Sequence, residues 1–505
     1  MTNYLKKAIH SVILLVVFAL LGTMCSYGTR IILARNLTTE EYGLFYAVFA
    51  FVGFLSLANN FGLQHAFVKF VPEFIHNKEW SNIKKSIVTV TATALVISVL
   101  MAGLMYLLAP VLAINYFKSQ GAIALLGIFA LMYVFNVFEN ITISSFHGFQ
   151  RFGVVSIINF VKAAALVALV ALGFFFFEPS LMLPAIAYAA IPIIIFVFFF
   201  PYFVTKIFPF FKEEGSFSKP LLKKFMGFGI PVLLAVIGKI LMTNSQTVIL
   251  TLLTSLEDVS MFNIALPTAN ILNILEVALI TVLVPMVSEL WVKQDKERII
   301  QGINFIYKYL FILLIPIVFI LISYPEFIIQ ILFGAKYLGA KGALRVLSFG
   351  ALFWTMSSIN VNILSALGKP REYSKIMFGT AIINILLCVA LVFLWRNAVE
   401  GAAIAMTLSY AIMMLWSFGS VRKIIEKIEF PIRLWRKLIL FGFIFLGILF
   451  IMKIIFAGLL HTNVYVDVIL SLVIAGTSYT GLILWSKIIT IREIKKFSML
   501  LFKKS

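Results

Sequence analysis

Residues 32–45 read Ile-Leu-Ala-Arg-Asn-Leu-Thr-Thr-Glu-Glu-Tyr-Gly-Leu-Phe and connect two long apolar runs, at 10–33 and 43–68. About 20 apolar residues are enough to cross the hydrocarbon core of a bilayer as one helix. A short polar stretch between two such runs is therefore typical of a loop that joins two transmembrane helices.

The same alternation of apolar run and short polar loop continues along the whole chain. It predicts an all-α polytopic membrane protein with about fourteen transmembrane helices. The two longest connectors, 206–224 and 323–342, are too short for a soluble domain. The fourteen predicted spans are 10–33, 43–68, 84–110, 120–147, 153–177, 181–205, 225–252, 259–289, 300–322, 343–367, 372–395, 399–421, 435–459 and 464–486.

Composition excludes most other classes of protein. Of 505 residues, 62% are hydrophobic and 12% are charged, whereas soluble domains have roughly 45–50% apolar and about 25% charged residues. The two cysteines lie in apolar runs and offer no disulfide framework. The sequence contains no P-loop and no dinucleotide fingerprint, and its histidines lack the spacing of a helical metal site. We therefore predict no enzyme activity, no cofactor and no metal.

The net charge of +20 comes from basic residues in short loops between the spans. Most of the 41 Lys and Arg residues fall on the side of the membrane that also holds both termini. The positive-inside rule then predicts cytoplasmic termini and a place in the cell membrane, plasma or inner. Anionic lipid headgroups are the expected neighbours of these residues, and a nucleic acid is not.

Residues 253–262, Leu-Thr-Ser-Leu-Glu-Asp-Val-Ser-Met-Phe, follow the seventh span as the opening stretch follows the first. This match predicts an N-terminal six-helix half at 1–209, a cytoplasmic linker at 210–224 and a C-terminal six-helix half at 225–422. Residues 423–505 would add two helices and a basic cytoplasmic tail. Two halves that each have an even number of spans have the same orientation in the membrane. Such halves are related by a pseudo-twofold axis along the membrane normal.

Several short motifs, in this order, resemble those of the polysaccharide flippase family, which transports lipid-linked oligosaccharides such as O-antigen units. The family belongs to the multidrug, oligosaccharidyl-lipid and polysaccharide exporter superfamily. The matching segments are 35–43, 61–63 and 71–73 in the first half and 333–337, 366–370 and 401–405 in the second.

This resemblance implies two six-helix bundles around a central cavity. It also implies a flippase that moves an isoprenoid-diphosphate-linked oligosaccharide from the inner to the outer leaflet by alternating access, for surface polysaccharide biosynthesis. Such a protein would work as a monomer beside glycan-synthesis enzymes. The coupling ion, H⁺ or Na⁺, stays open.

Three basic residues lie within predicted spans: Lys239, Lys162 and Arg30. A cation near the centre of a membrane helix costs roughly 2.5–3.5 kcal/mol by insertion scales, so we interpret these residues as candidates for binding the diphosphate. Lys239 forms a polar stripe with Thr243 and Gln246 at helical spacing. Snorkelling to headgroups is the alternative for Lys162 and Arg30.

Polar residues on other spans complete the candidate substrate site. The amides could equally form hydrogen bonds between helices. The two acidic residues are candidates for a coupling site or for ion-pair partners of the lysines, and the sequence does not choose between these roles. The amides are Asn136, Asn140, Asn270 and Asn273, and the acidic residues are Glu139 and Glu276.

Three other functions compete with this interpretation. A multidrug exporter of the same fold would need an acidic residue to exchange a cation for the drug, and the first span has none. A lipid II flippase shares the chemistry of the substrate and is not excluded. A membrane glycosyltransferase would need a set of catalytic carboxylates and a large outer loop, which the sequence lacks.

Overall fold

The computed structural model describes residues 2–56, 62–426, 432–456 and 464–488. These residues form α-helices and no strand, so the predicted all-α class is confirmed. The predicted basic tail beyond residue 488 lies outside the described residues. The helices are α1 (Thr2–Asn36), α2 (Thr39–Leu55), α3 (Leu63–His76), α4 (Trp80–Asn115), α5 (Gly121–Gly148), α6 (Phe152–Phe176), α7 (Met182–Tyr202), α8 (Lys219–Leu253), α9 (Leu256–Ala269), α10 (Asn273–Val292), α11 (Lys296–Ser323), α12 (Pro325–Leu332), α13 (Lys341–Ala366), α14 (Pro370–Leu394), α15 (Ala398–Ile425), α16 (Ile432–Ile455) and α17 (Val464–Trp485).

Twelve helical segments in the described part of the chain are long and apolar enough to cross a membrane. They correspond to twelve of the fourteen predicted spans. Many of their large apolar side chains are exposed, such as Leu107, Phe175 and Leu394. Lipid is the environment that such a surface requires, and the protein is therefore a multi-pass membrane protein.

The other two predicted spans, 43–68 and 259–289, are each divided between two shorter helices. In the first, α2 ends at Leu55 and α3 begins after Gly62, which has a φ of 76°. In the second, a 3₁₀ turn at Asn270–Leu272 separates α9 from α10. Interrupted helices at corresponding positions of two repeats point to the substrate site in many transporters.

The helices group into two compact units by their contacts. The first contains Met1–Pro267, Ile329–Ala343 and Pro370–Ser409, and the second contains the remainder of the chain. These groups of contacting helices do not test the predicted domain boundaries, which stay a prediction.

In the first unit, α1 packs against α6, α5 contacts α4 and α7, and α8 packs against α14. Gly238 makes the last contact close, because a Cβ atom there would lie 2.9 Å from the backbone carbon of Met377. Gln246 Nε2, farther along α8, donates a 2.7 Å hydrogen bond to Asn384 Oδ1 of α14. In the second unit, α16 packs against α11 and α17.

Two capping boxes begin the helices that follow the first and seventh predicted spans. Thr38 Oγ1 accepts from the backbone N–H of Glu41, and Glu41 Oε2 accepts from the backbone N–H of Thr38. Ser255 and Asp258 make the same pair of bonds in front of α9. Reciprocal bonds of this kind satisfy amide groups that a helix N-terminus leaves free. The sequence match between 32–45 and 253–262 therefore corresponds to the same local structure, a capping box, at two places in the chain.

The two matching segments also lie against each other within the first unit. A Cβ atom built on Gly43 would lie 1.9 Å from the carbonyl oxygen of Leu256, so no larger residue fits without a shift of the backbone. Thr39 Oγ1 and Glu257 Oε1 are 3.5 Å apart in the same contact. Glycine is required here for close approach of the two chains.

Candidate functional site

Asn136, Glu139 and Asn140 lie on one face of α5, because residues three and four apart share a side of a helix. All three line one cavity in the first unit. Its volume is about 290 Å³, and its walls come from α2, α5, α6 and α7. The polar lining residues are Ser56, Tyr133, Asn136, Glu139, Asn140, Lys162 and Tyr188. The structure thus brings together four residues that the sequence singled out, from two neighbouring helices.

Lys162 reaches across from α6 and donates to Glu139 Oε1 in a salt bridge. The two side chains differ in their surroundings: that of Glu139 is 4% exposed and that of Lys162 is 43% exposed. Both residues line the cavity, and the lysine side chain is the more exposed of the two. The ion pair is present in the structure, and the choice between the two roles considered for Glu139 stays open.

Tyr133 connects the cavity to the end of α2. Its hydroxyl donates a 2.9 Å hydrogen bond to the carbonyl oxygen of Leu55, in the last turn of that helix. Carbonyl groups in the last turn have no partner within the helix. In the α7 wall, Pro192 has no N–H to give to the carbonyl of Tyr188, four residues earlier. The carbonyl groups of Leu55 and Tyr188 are therefore two backbone polar groups near the cavity that lack the usual helical N–H partner.

Arg30 belongs to a second cluster, which shares Tyr188 with the cavity lining. Its guanidinium lies 4.3 Å from the centre of the Tyr46 ring, close enough for a cation–π interaction. Nη1 donates a 3.4 Å hydrogen bond to the carbonyl oxygen of Asn263, and the Tyr42 hydroxyl is also a neighbour. Arg30 is half-buried among these groups, so its side chain is held by the protein rather than extended to a headgroup.

The predicted stripe on α8 divides in the structure. Lys239 and Thr243 are exposed, whereas Gln246 is buried in its hydrogen bond to Asn384. Lys239 has no ion pair with any residue that the structure describes, and it does not line the cavity. Its assignment as a diphosphate ligand stays a prediction.

Asn270, Asn273 and Glu276 belong to the second unit and lie at the break between α9 and α10. Both asparagines are half-buried, and Glu276 is buried at 6% exposure. Tyr410 is one of the electrostatic neighbours of Glu276. This arrangement leaves the role proposed for these residues untested.

Sequence reasoning missed the tyrosines that complete the first unit's clusters, namely Tyr42, Tyr46, Tyr133 and Tyr188. Tyr42, Tyr46 and Tyr133 lie close to phenylalanines in the sequence, whereas Tyr188 lies in an aliphatic stretch. A tyrosine within a membrane span carries a hydroxyl that needs a partner, and this requirement was the available signal.

The sequence model of a family described as polysaccharide biosynthesis protein matches residues 8–291. An uncharacterized membrane protein of Methanocaldococcus jannaschii is 30% identical over 514 aligned positions, which cover 98% of each chain.

Two groups of solved structures share the fold. The lipid II flippase MurJ, in an inward closed conformation, has a TM-score of 0.74 at 17% identity and covers 93% of this chain and 98% of its own. An inward-facing multidrug resistance transporter of the MATE family, in the MOP superfamily, has a TM-score of 0.66 at 14% identity. That match covers 83% of this chain and 98% of the transporter. The chain shares the fold of these structures, and it belongs to the polysaccharide biosynthesis protein family.

Proposed function

We propose that the protein is a flippase for an isoprenoid-diphosphate-linked oligosaccharide, which it moves from the inner to the outer leaflet by alternating access. The observation that carries this proposal is the cavity among α2, α5, α6 and α7, whose lining includes Lys162. Family membership and the transporter fold support a flippase or transporter role. The substrate is our inference from the chemistry of the cavity.

A lipid-linked oligosaccharide has an apolar tail, an anionic diphosphate and a polar glycan. The diphosphate and glycan cannot enter about 30 Å of hydrocarbon without compensating polar contacts. Lys162 offers a positive charge to the diphosphate, and Asn136 and Asn140 offer amide donors and acceptors to hydroxyl groups. Arg30 and Lys239 stay further candidates for the diphosphate.

We infer that both termini are cytoplasmic, because basic residues are concentrated in the loops on their side. Loading from the inner leaflet and release at the outer leaflet follow from this orientation and from where the glycan is needed. Basic loops would contact anionic lipids on the cytoplasmic face.

The test uses purified protein in phospholipid vesicles that contain a prenyl-diphosphate sugar with a fluorophore on the sugar. A membrane-impermeant reductant destroys only fluorophores in the outer leaflet. We expect the protein to expose the inner-leaflet probe to the reductant and to leave a fluorescent phosphatidylcholine protected. Equal exposure of both lipids, or of neither, would contradict the proposal.

The multidrug exporter is the second candidate, and it makes a different prediction in the same vesicles. Its substrate would be a lipophilic cation such as ethidium, accumulated against a proton or Na⁺ gradient. Glu139 is the acidic residue of the cavity, but its charge is already matched by Lys162. We therefore expect no gradient-driven ethidium uptake.

A further inference from the structure

The Lys162–Glu139 pair is asymmetric. Only 4% of the Glu139 side chain is exposed, against 43% of the Lys162 side chain. Both residues line the cavity, so a ligand there can contact the Lys162 side chain while most of the Glu139 side chain stays enclosed.

Glu139 is incompletely satisfied even in this pair. Its Oε1 accepts from Lys162, while Oε2 is buried and receives no hydrogen bond from the described residues. The other titratable groups in the cavity lining are Tyr133 on α5 and Tyr188 on α7. Ser56, directly after α2, is the one polar lining residue at that wall. Lys162 is thus the one cation beside this carboxylate among the described lining residues.

We propose that Glu139 is an internal counter-anion, which neutralises Lys162 in the empty carrier and competes with the anionic head of the substrate for it. This inference rests on the proposed function. An ammonium group has three N–H donors, and a donor that is bonded to Glu139 is not available to the diphosphate. Binding of a diphosphate to Lys162 therefore competes with the pair to Glu139, and release of the diphosphate restores that pair in full.

Two consequences follow for the transport cycle. Competition weakens binding of the substrate and so speeds its release at the far side of the membrane. Re-formation of the pair also means that the empty carrier does not return with an uncompensated lysine among its membrane-spanning helices, which would be costly. Glu139 is in this sense a positioning residue, because it acts on the substrate through Lys162.

Glu139→Gln tests the competition directly, because it removes the competing charge and keeps the size of the side chain. Its effects on diphosphate affinity and on turnover should have opposite signs. Affinity for a diphosphate should rise about tenfold, the order expected when one charge-assisted hydrogen bond no longer competes. Turnover should fall, because release becomes slower and the empty state contains a lone cation. A merely structural role for Glu139 would lower both affinity and turnover.

The experiment measures binding of geranyl diphosphate, a water-soluble prenyl diphosphate, to the purified full-length protein by calorimetry, with turnover in the vesicle assay. We expect tighter binding by Glu139→Gln, loss of at least tenfold in affinity by Lys162→Gln, and binding by the double variant that resembles Lys162→Gln. The matched control is Glu289→Gln, which breaks an exposed ion pair with Lys293 on α10 and should change neither quantity.

Glu139→Asp covers the case in which the glutamine variant does not fold. It keeps the buried charge but shortens the reach to Lys162, so its affinity should lie above that of the unaltered protein. Unchanged or weaker binding by folded Glu139 variants, with Lys162→Gln still impaired, overturns this inference alone. Failure of the unaltered protein to bind geranyl diphosphate, or normal binding by Lys162→Gln, would instead remove the head-group site on which the proposed function depends.

Discussion

Arg35 Nε donates a 3.0 Å hydrogen bond to the carbonyl oxygen of Leu332, in the last turn of α12. In the opposite direction, the hydroxyl of Tyr337 donates a 3.2 Å bond to the carbonyl oxygen of Ala34, in the last turn of α1. Each helix end therefore has a carbonyl group satisfied by a side chain from the other segment. Carbonyls in the last turn lack intrahelical partners and attract donors, cations especially. The contact belongs to the first unit and ties the connector before α13 to the first predicted span.

Arg35→Gln should loosen this contact. A charge-assisted bond at an exposed position contributes about 1 kcal/mol, so we expect the apparent unfolding temperature in detergent to fall by a few degrees. Arg396→Gln is the matched control, because Arg396 is also exposed and makes no hydrogen bond or ion pair with the residues that the structure describes. Equal unfolding temperatures for the two variants would show that the Arg35 contact does not contribute to stability.

Gly43→Ala tests the close approach of the two repeated segments. The added methyl group would meet the carbonyl oxygen of Leu256 at 1.9 Å, and relief requires movement of backbone. Overpacking of this kind costs about 1–3 kcal/mol, measurable as a lower unfolding temperature. Gly103→Ala in α4 is the control: nothing lies within 4 Å of its added Cβ atom, so stability should stay constant or rise through helix propensity.

Lys239→Gln distinguishes a ligand from an ion-pair partner. Because Lys239 is exposed and makes no ion pair with the described residues, the variant should keep the unfolding temperature of the unaltered protein. If Lys239 contacts the diphosphate during transport, Lys239→Gln should lose most flipping and Lys239→Arg should retain part of it. Full flipping by a well-expressed Lys239→Gln protein would remove this residue from the mechanism.

Single cysteines test the predicted orientation. All four chosen positions are exposed: Ser216 and Lys423 on the predicted cytoplasmic side, and Glu257 and Arg396 on the outer side. In intact cells, a membrane-impermeant maleimide should label only the cysteines at Glu257 and Arg396. Labelling at Ser216 without lysis would show that the span count or the orientation is wrong.

Sequence reasoning reached the fold because each of its signals is local. Apolar runs predict helices of membrane length without any knowledge of neighbours. The match between 32–45 and 253–262 is also local, although only the structure identified both segments as capping boxes. The division of 43–68 into α2 and α3 was not predicted. The run is apolar on average in spite of the polar residues between 56 and 65, and hydropathy does not register the left-handed backbone at Gly62 that precedes α3.

The candidate site was predicted in part. The face of α5 with Asn136, Glu139 and Asn140 follows from helical periodicity and was found in advance. Gln246 shows the limit of the same argument: its spacing from Lys239 suggested one polar stripe, yet it is buried against Asn384. Periodicity places residues on a side of a helix, but which helix covers that side depends on packing.

The amino-acid sequence by itself determined that this chain is an all-helical membrane protein with costly cations inside its spans, because hydropathy and charge act residue by residue. Only the tertiary structure decided that Lys162 meets Glu139, 23 positions away in the chain, while Arg30 meets Tyr46 and Lys239 is exposed. Partner choice depends on how helices from distant parts of the chain pack together. In a low-dielectric environment a buried charge is stabilised by whichever opposite charge or polar group that packing brings within hydrogen-bond distance.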